Sequence, residues 1–388
     1  MNYVGIDISK YKHDLFILSD FGEVINESFS FNNNAEGFRI LEQELQLCGK
    51  GNVRIGMEAT GNYGINLKLF LEKIGFDFME INPILVKEYI KSSTLRRTKT
   101  DKIDARSIAG YILQKSYRPL RTEFYNKFAL KQLTRFRSRL VSIRSSYLVR
   151  ITNVLDCIFP EFKPLFDNKF SITALYILAH YPSPEAISNM NSRSYDLLRR
   201  KSHGRFSMDK FVMLKHLAEN TVGVYQKCYG VELETLLDLH SQIDCKINEV
   251  EAEITQIVLE MNPPTLSIKG IGEVSAAVII SEFGDFSRFD NPGQMLSFAG
   301  LEPGYFQSGT SEHSGHMVKR GSPYLRSTLL NCCRAIRMHN ETFASYSRKK
   351  ASEGKHESVV LSHMAKKLVR LIFTLETKGI PFDPEKLR

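Results

Sequence analysis

The run Tyr3-Val4-Gly5-Ile6-Asp7-Ile8-Ser9 sets one acid inside a segment otherwise made for burial. A carboxylate on such a strand is costly unless something compensates its charge. A second apolar run, Val53-Arg54-Ile55-Gly56-Met57-Glu58, ends on another acid. Asp101 and Asp104 follow at a spacing of i, i+3, which puts both on one face of a helix. A divalent cation compensates such charge, and hard oxygen donors suit Mg or Mn. Four carboxylates are more than one Mg that keeps several waters needs. They suit a two-ion site for phosphoryl transfer.

Working outward, the apolar pattern predicts strands near 3–8, 13–19 and 24–31, a helix near 35–47 and a strand at 53–58. A helix near 64–74, a strand at 76–81 and helices near 83–91 and from about 100 follow. In the third strand Val24, Asn26, Ser28 and Ser30 alternate with Ile25, Glu27, Phe29 and Phe31, and Gly22 marks the turn before it. Phe38, Leu41, Leu45 and Leu47 give the first helix an approximate apolar face. Antiparallel strands followed by crossovers make a mixed sheet with helices on its faces. This order, with Asp on the first strand and Glu on the fourth, resembles the ribonuclease H-like fold. The resemblance implies that Asp7 and Glu58 lie on adjacent central strands and that Asp101 and Asp104 complete the cluster. Thr100 is a candidate N-cap for their helix.

Each acid alone has a plainer reading. Asp101 could complement a helix dipole, and Glu58 could be a strand-end residue. Asp7 with Ser9 and Lys10 could be the phosphate loop of an actin-like or sugar-kinase fold. That fold needs a second Gly-rich phosphate loop after a later strand, and the chain offers none suitable.

At 388 residues the chain accommodates two or three domains, read as 1–120, 121–262 and 263–388. No apolar run has the length of a membrane span, and Met1 is followed almost at once by a strand-like segment. The 6 cysteines form no CxxC or Cys/His cluster, so a reduced, cytoplasmic setting without membrane attachment is expected. The net charge is +9, and 16 Lys/Arg against 3 Asp/Glu between Lys91 and Arg150 put +13 in that stretch alone. The remainder therefore sums to −4. A phosphate backbone fits such a field better than a solvated helix face, which interleaves both signs.

Residues 125–157 read as a helix that Arg135, Arg137, Arg139, Arg144 and Arg150 would ring, able to bridge nucleic-acid strands. Four prolines between 160 and 184 leave only short helices and loops over 160–225. From Leu233 the apolar steps alternate three and four through Leu236, His240, Ile243, Ile247, Val250, Ile254, Ile257 and Met261. That is an a/d seam, favouring an intermolecular or helical-hairpin coiled coil over one long amphipathic helix packed within the chain, and a coiled coil is expected to make the protein at least a dimer.

Pro263-Pro264 ends that helix, and Ile268-Lys269-Gly270-Ile271-Gly272 resembles a helix-hairpin-helix turn that offers backbone N–H groups to a phosphate. Ser322-Pro323 reads as N-cap and first residue of a helix, with Lys319 and Arg320 just before it. The glycine-flanked segment around Ser308 reads as a loop too long and polar to serve packing alone.

With these pieces in place, the chain resembles the DEDD transposases of bacterial insertion sequences, a family related to Piv-type DNA invertases and described as bridge-RNA-guided recombinases. The resemblance is carried by Gly5-Ile6-Asp7, Met57-Glu58-Ala59-Thr60-Gly61, Lys99-Thr100-Asp101-Lys102-Ile103-Asp104-Ala105, Gly270-Ile271-Gly272, Gly300-Leu301-x-Pro303, Ser308-Gly309 and Lys319-Arg320-Gly321. It implies a RuvC-like domain, a coiled-coil region and a mostly helical C-terminal transposase domain. It implies that Asp7, Glu58, Asp101 and Asp104 hold two Mg or Mn ions, and that Ser308 attacks the scissile phosphate. It further implies donor and target double-stranded DNA, a noncoding guide RNA, and dimers that assemble to a tetramer. Arg96, Arg97, Lys99, Lys102, Arg106, Arg135, Arg139, Gly270, Gly272, Lys319 and Arg320 are the candidate nucleic-acid contacts. Many relatives carry Ser-Ser-Gly-Gly where this chain has Gln307-Ser308-Gly309-Thr310, so Ser311 and Ser314 stand as alternative nucleophiles. The competing readings are a RuvC-like junction nuclease that uses water, an invertase without guide RNA, and a non-catalytic scaffold, against which the intact acid set argues.

Overall fold

Strand β1 (Asn2–Ile8) pairs antiparallel with β2 (Lys12–Ser19), and β2 with β3 (Val24–Asn32). Helix α1 (Ala35–Cys48), whose first turn Asn34 caps by accepting from the Gly37 N–H, crosses to β4 (Val53–Glu58). Helix α2 (Ile65–Ile74) crosses to β5 (Phe78–Ile81), and α3 (Pro83–Ser93) and α4 (Asp101–Gln114) follow. Strands β4 and β5 join in parallel, giving the order β3-β2-β1-β4-β5. This is the mixed sheet the pattern predicts, with the fifth strand beginning at Phe78 rather than 76. The structure is a computed structural model that describes residues 1–59, 61, 63–93, 101–115, 117–119, 124–308 and 311–387. At 28, 93, 101, 102, 124–126, 303–308, 311–316, 386 and 387 it describes the backbone alone.

Alternation divides the sheet into two apolar faces. Val4, Ile6, Leu15, Ile17, Ile55 and Met57 bury against Leu41 and Leu45 of α1 and Leu67 and Leu71 of α2. Tyr3, Phe16, Leu18 and Ile81 bury against Val86 of α3 and Ala105, Ile108, Ala109 and Ile112 of α4. Gly5 and Gly56 are register partners on this second face. A Cβ on Gly5 would stand 2.1 Å from the Ala105 carbonyl oxygen, and one on Gly56 would stand 2.8 Å from Ile112 Cγ2. The two glycines leave a trough in the sheet, and α4 lies in it.

The chain divides into two compact units. One is Met1–Ala129 with Ser267–Ile271 and Ile279–Arg388, and the other is Leu130–Leu266 with Gly272–Val278. The second unit holds most of α5 (Phe124–Ile158), then α6 (Ile172–His180), α7 (Pro184–Ser188), α8 (Ser192–Lys201), α9 (Met208–Glu219) and α10 (Lys227–Met261). Ser171, Ser183, Asn191 and Ser207 each cap the next short helix through a side-chain oxygen. Phe159, Phe162, Ile177, Leu198, Phe211 and Leu214 share a core with Leu155 and Leu233.

Arg137 pairs with Glu251 at 2.6 Å and Arg144 with Asp244 at 2.5 Å. Seven residues forward on α5 match seven back on α10, so the helices run antiparallel one heptad per ion pair. The same register sets Leu130 opposite Val258, Thr134 opposite Ile254, Leu148 opposite His240 and Leu155 opposite Leu233. The α10 seam is buried or half-buried along its length, turned toward α5 of the same chain. The five arginines therefore do not ring α5 as free cations: Arg137 and Arg144 are spent on acids of α10.

In the first unit the C-terminal chain adds the end of α11 (Glu273–Phe283), α12 (Pro292–Phe298), a hairpin of β6 (Pro303–Ser308) and β7 (Ser311–Met317), and three helices. These are α13 (Pro323–His339), α14 (Glu341–Ser352) and α15 (Glu357–Lys378), which pack on one another. Arg118, just past α4, donates to Asp290 at 2.8 Å and to the Arg288 carbonyl at 3.4 Å, joining the sheet domain to the C-terminal chain within this unit. Cys332 and Cys333 are buried on α13, where burial pushes the Cys333 thiol up to about 12 and keeps it unreactive. Among the described residues no helix is long and apolar enough to cross a membrane.

Candidate active site

The β1–β4 register runs Gly5 to Gly56 and Ile6 to Met57, and its next step sets Asp7 beside Glu58. Both acids are half-buried, on the face that α4 covers. The direction of α4 follows from its far end. Tyr117 accepts from the Ile55 N–H at 3.3 Å and donates to the Asp77 carbonyl at 3.0 Å, beside the starts of β4 and β5. The opposite end, which carries Asp101 and Asp104, therefore points toward the carboxyl ends of β1 and β4. Asp104 is half-buried one turn before Ile108, and Asp101 sits one turn before Ala105, so both share the helix phase that meets the sheet. Burial pushes the Tyr117 phenol up to about 12, which keeps this anchor neutral.

A fifth acid escaped the sequence reading. Asp14 is the register partner of Asp7 and is 2% exposed. It accepts from the Ser30 hydroxyl and lies 3.8 Å from Lys12 Nζ. The signal was present in β2, where Asp14, Phe16 and Leu18 alternate onto the α4 face. Glu80, by contrast, belongs to the opposite face, where it pairs with the buried Lys68 of α2. His13 also faces away, buried between the Phe31 and Phe38 rings at 5.3 and 6.3 Å.

Half-buried carboxylate oxygens at one sheet edge are the donor chemistry that Mg or Mn requires. Asp7, Glu58 and Asp104 supply it, with Asp14 adding negative charge behind them. Among the described side chains no three acid, His or Cys groups close a cage by themselves. The side chain of Asp101, like that of Lys102, lies outside the described residues, as do Arg96, Arg97, Lys99 and Thr100 entirely.

The C-terminal motifs have clear packing roles. The segment around Ser308 is not a long loop: Ser308 ends β6 and is the cross-strand partner of Ser311, the first residue of β7. Ser314 lies further along β7, opposite Tyr305. Their side chains lie outside the described residues. Gly300 (φ +67°) and Gly321 (φ +110°) interlock, since a Cβ on either would stand 2.1 Å from a carbonyl oxygen, of Arg320 and Phe298 respectively. Arg326 Nη1 donates to the Ala299 carbonyl at 3.3 Å and ties the same crossing. Lys319 (φ +52°) and Arg320 stand exposed on it, and Ser322 caps α13 by accepting from the Leu325 N–H. Gly270 (φ +101°) is pressed on α13, where a Cβ would meet Ile336 N at 2.8 Å, whereas a Cβ on Gly272 would meet only open space. Of the remaining candidate contacts, Arg106 is exposed with its guanidinium 5.7 Å from the Phe16 ring centroid, Arg139 is exposed and Arg135 is half-buried.

An acid-edged mixed sheet followed by a mostly helical remainder defines the class: a mixed α/β domain with helical extensions. Comparison with known proteins names the family. A DEDD transposase model of the IS110 kind matches residues 4–160, and a model described as "Transposase IS116/IS110/IS902 family" matches residues 265–348. The chain belongs to the IS110/IS116 family of insertion-sequence transposases. It is 22% identical to the pilin gene-inverting protein of Moraxella bovis over 98% of this chain and 97% of that protein. It is 23% identical to an uncharacterised protein of insertion element IS116 from Streptomyces clavuligerus over 98% and 96%. It is 24% identical to the transposase of insertion sequence element IS1111A from Coxiella burnetii over 87% and 78%.

Proposed function

We propose that this transposase cuts and rejoins double-stranded DNA through a covalent phosphoserine link, at a site where Asp7, Glu58, Asp101 and Asp104 hold two Mg or Mn ions. The observation that carries the reading is the placement of Asp7 beside Glu58, with the Asp101 and Asp104 end of α4 directed at the same sheet edge. Bound divalent ions would supply Lewis-acid stabilisation of the attacking and leaving oxygens. The chain's own work is to hold those carboxylates in place and to deliver a nucleophile. Ser308 Oγ bonds to phosphorus as the P–O bond to one DNA strand breaks, and the serine proton passes in net to the departing DNA oxygen, which leaves as a hydroxyl; a like hydroxyl of the partner strand later attacks the phosphoserine, and its proton returns in net to Ser308 as the P–Oγ bond breaks. The phosphodiester energy is conserved in that link, so no ATP is consumed. The hairpin register keeps Ser311 as the nearer rival, since it is the cross-strand partner of Ser308.

In this reading residues 1–120 are the catalytic domain, 121–262 the basic helical and coiled-coil region, and 263–388 the transposase domain with its hairpin turn at Gly270 and Gly272 on phosphate. A noncoding RNA of the element guides the choice of donor and target, and dimers join into a tetramer. The near full-length match to pilin gene-inverting proteins favours one second reading, a site-specific invertase that needs no RNA. Covalent trapping tests the proposal. Protein, the element's flanking RNA, cognate DNA and Mg are run on a denaturing gel beside Ser308→Ala, Ser311→Ala and Asp104→Ala. An adduct lost in Ser308→Ala and Asp104→Ala supports it. An adduct lost only in Ser311→Ala moves the nucleophile, cleavage without an adduct indicates a water-using nuclease, and an adduct formed without RNA selects the invertase.

A further inference from the structure

Outside the stretch from Lys91 to Arg150 the chain is net negative, yet residues 191–205 carry five Arg/Lys against one Asp, a local charge of +4. Arg193, Arg199, Arg200 and His203 are exposed and surround Asp196 on one side of α8 and the turn after it. Arg199, Arg200, His203 and Gly204 with Asp196 line an open cavity of about 520 Å³. The turn is shaped by His203 at φ +52° and Gly204 at φ +80°.

Among the described residues none of these guanidinium groups pairs with a carboxylate, and Arg200 Nε donates only to the Asp196 carbonyl at 3.4 Å. Lys201 is held apart, its Nζ 4.4 Å from the Tyr176 ring centroid. On α5, by contrast, Arg137 and Arg144 are bound to acids. Helix stability explains part of the cluster, since cations favour the last turn of a helix. It does not explain Arg193, which stands in the first turn, where the dipole disfavours a cation. Arg193 and Arg200 share a face and span roughly 10 Å of helix axis, a length over which duplex DNA presents several phosphates. Arg199, Arg200 and His203 outnumber the one acid, Asp196, among the lining residues, and a nucleic-acid contact is likewise rich in cations.

We infer that the α8 face, with Arg193, Arg199 and Arg200 at its centre, is a sequence-independent docking surface for the phosphate backbone of duplex DNA. This rests on the proposed function, which supplies the DNA. Side-chain caps start each of the helices α6–α9, so the backbone that carries the cations is set within the fold. The chemistry is charge without base reading, and the surface adds affinity and orientation, not choice of sequence.

Salt titration of the full chain on a DNA duplex of arbitrary sequence tests this, with Arg193→Gln, Arg199→Gln and Arg200→Gln combined in one variant. The slope of log affinity against log salt is expected to become shallower by about 0.9 per lost contact, about 2.7 for three. The matching Arg→Lys triple keeps the slope, which separates charge from folding. An unchanged slope in the Gln variant overturns the inference. A slope that changes on duplex RNA and not on DNA also overturns it, since the surface then serves RNA. Adduct formation in the trapping experiment is read independently, so a wild type that binds DNA without forming an adduct, beside a Gln variant with the shallower slope, sinks the proposed chemistry alone.

Discussion

Gly5 and Gly56 are register partners on the parallel β1–β4 pair, and α4 lies across both. The residues two steps on along the same face are Asp7 and Glu58. The contact that brings α4 onto the sheet is therefore the one that aims its acidic end at the strand carboxylates. The glycines are not equivalent, because Gly5 meets the backbone of Ala105 and Gly56 meets a methyl of Ile112. Overpacking costs about 1–3 kcal/mol. Gly5→Ala is expected at the upper end and Gly56→Ala at the lower, read by chemical denaturation. Gly5→Ala should also lose DNA cleavage out of proportion to its stability. Equal losses for both variants would argue against the trough.

The antiparallel α5–α10 register makes a charge-swap prediction. Arg137 and Glu251 are each about one-third exposed (32% and 32%), so their pair contributes at most about 1 kcal/mol. Glu251→Arg places two guanidinium groups together and should lower the melting temperature by a few degrees. Adding Arg137→Glu should restore most of the loss. A double variant no better than its worse parent would refute the register.

Two buried histidines predict acid sensitivity. Burial pulls His13 below its ordinary 6.5, with Asn33 and Asp14 acting upward. Burial likewise pulls His240 down, with Asp244 raising it and Arg144 lowering it. For each, the unfolded chain takes up a proton at 6.5 while the folded chain stays neutral. The stability tied to them is thus complete above about pH 6.5 and is lost as pH falls toward the depressed folded values. Among the described residues neither ring nitrogen of His13 makes a hydrogen bond of good geometry, so His13→Leu should raise stability at neutral pH and flatten its fall from about pH 7 to about pH 5. A variant with the parental pH profile would rule His13 out as a source.

Tyr117 ties the end of α4 to the starts of β4 and β5 through Ile55 and Asp77. Tyr117→Phe removes the donor to Asp77 and leaves a buried N–H of Ile55 without its acceptor, at a cost of about 1–3 kcal/mol. Hydrogen exchange at Ile55 should speed up in this variant and stay unchanged at Leu67 on the opposite face. Unchanged exchange at Ile55 would show that the phenol does not hold the strand.

The sequence by itself determined most of the elements, though not the β6–β7 hairpin, which it showed as a loop. Period-2 alternation in β1, β2 and β3, period-3.6 spacing in α1 and α4, and the Ser322-Pro323 cap all depend on local backbone preference and on which side of an element is apolar. The same locality made Asp7 and Glu58 conspicuous, as charges inside runs made for burial. Only the tertiary structure decided the partners. A heptad seam does not name the helix it meets, and the ion pairs assign α10 to α5. Charge counting located the basic stretch but could not tell a guanidinium paired with an acid, as at Arg144, from one that meets no carboxylate among the described residues, as at Arg199 outside that stretch. Asp14 went unread until register set it against Asp7, and Ser308 read as a loop residue until pairing set it against Ser311. The reason is physical: burial period is written within one element, whereas register and charge pairing are settled between elements far apart in the chain, by packing that leaves no local trace.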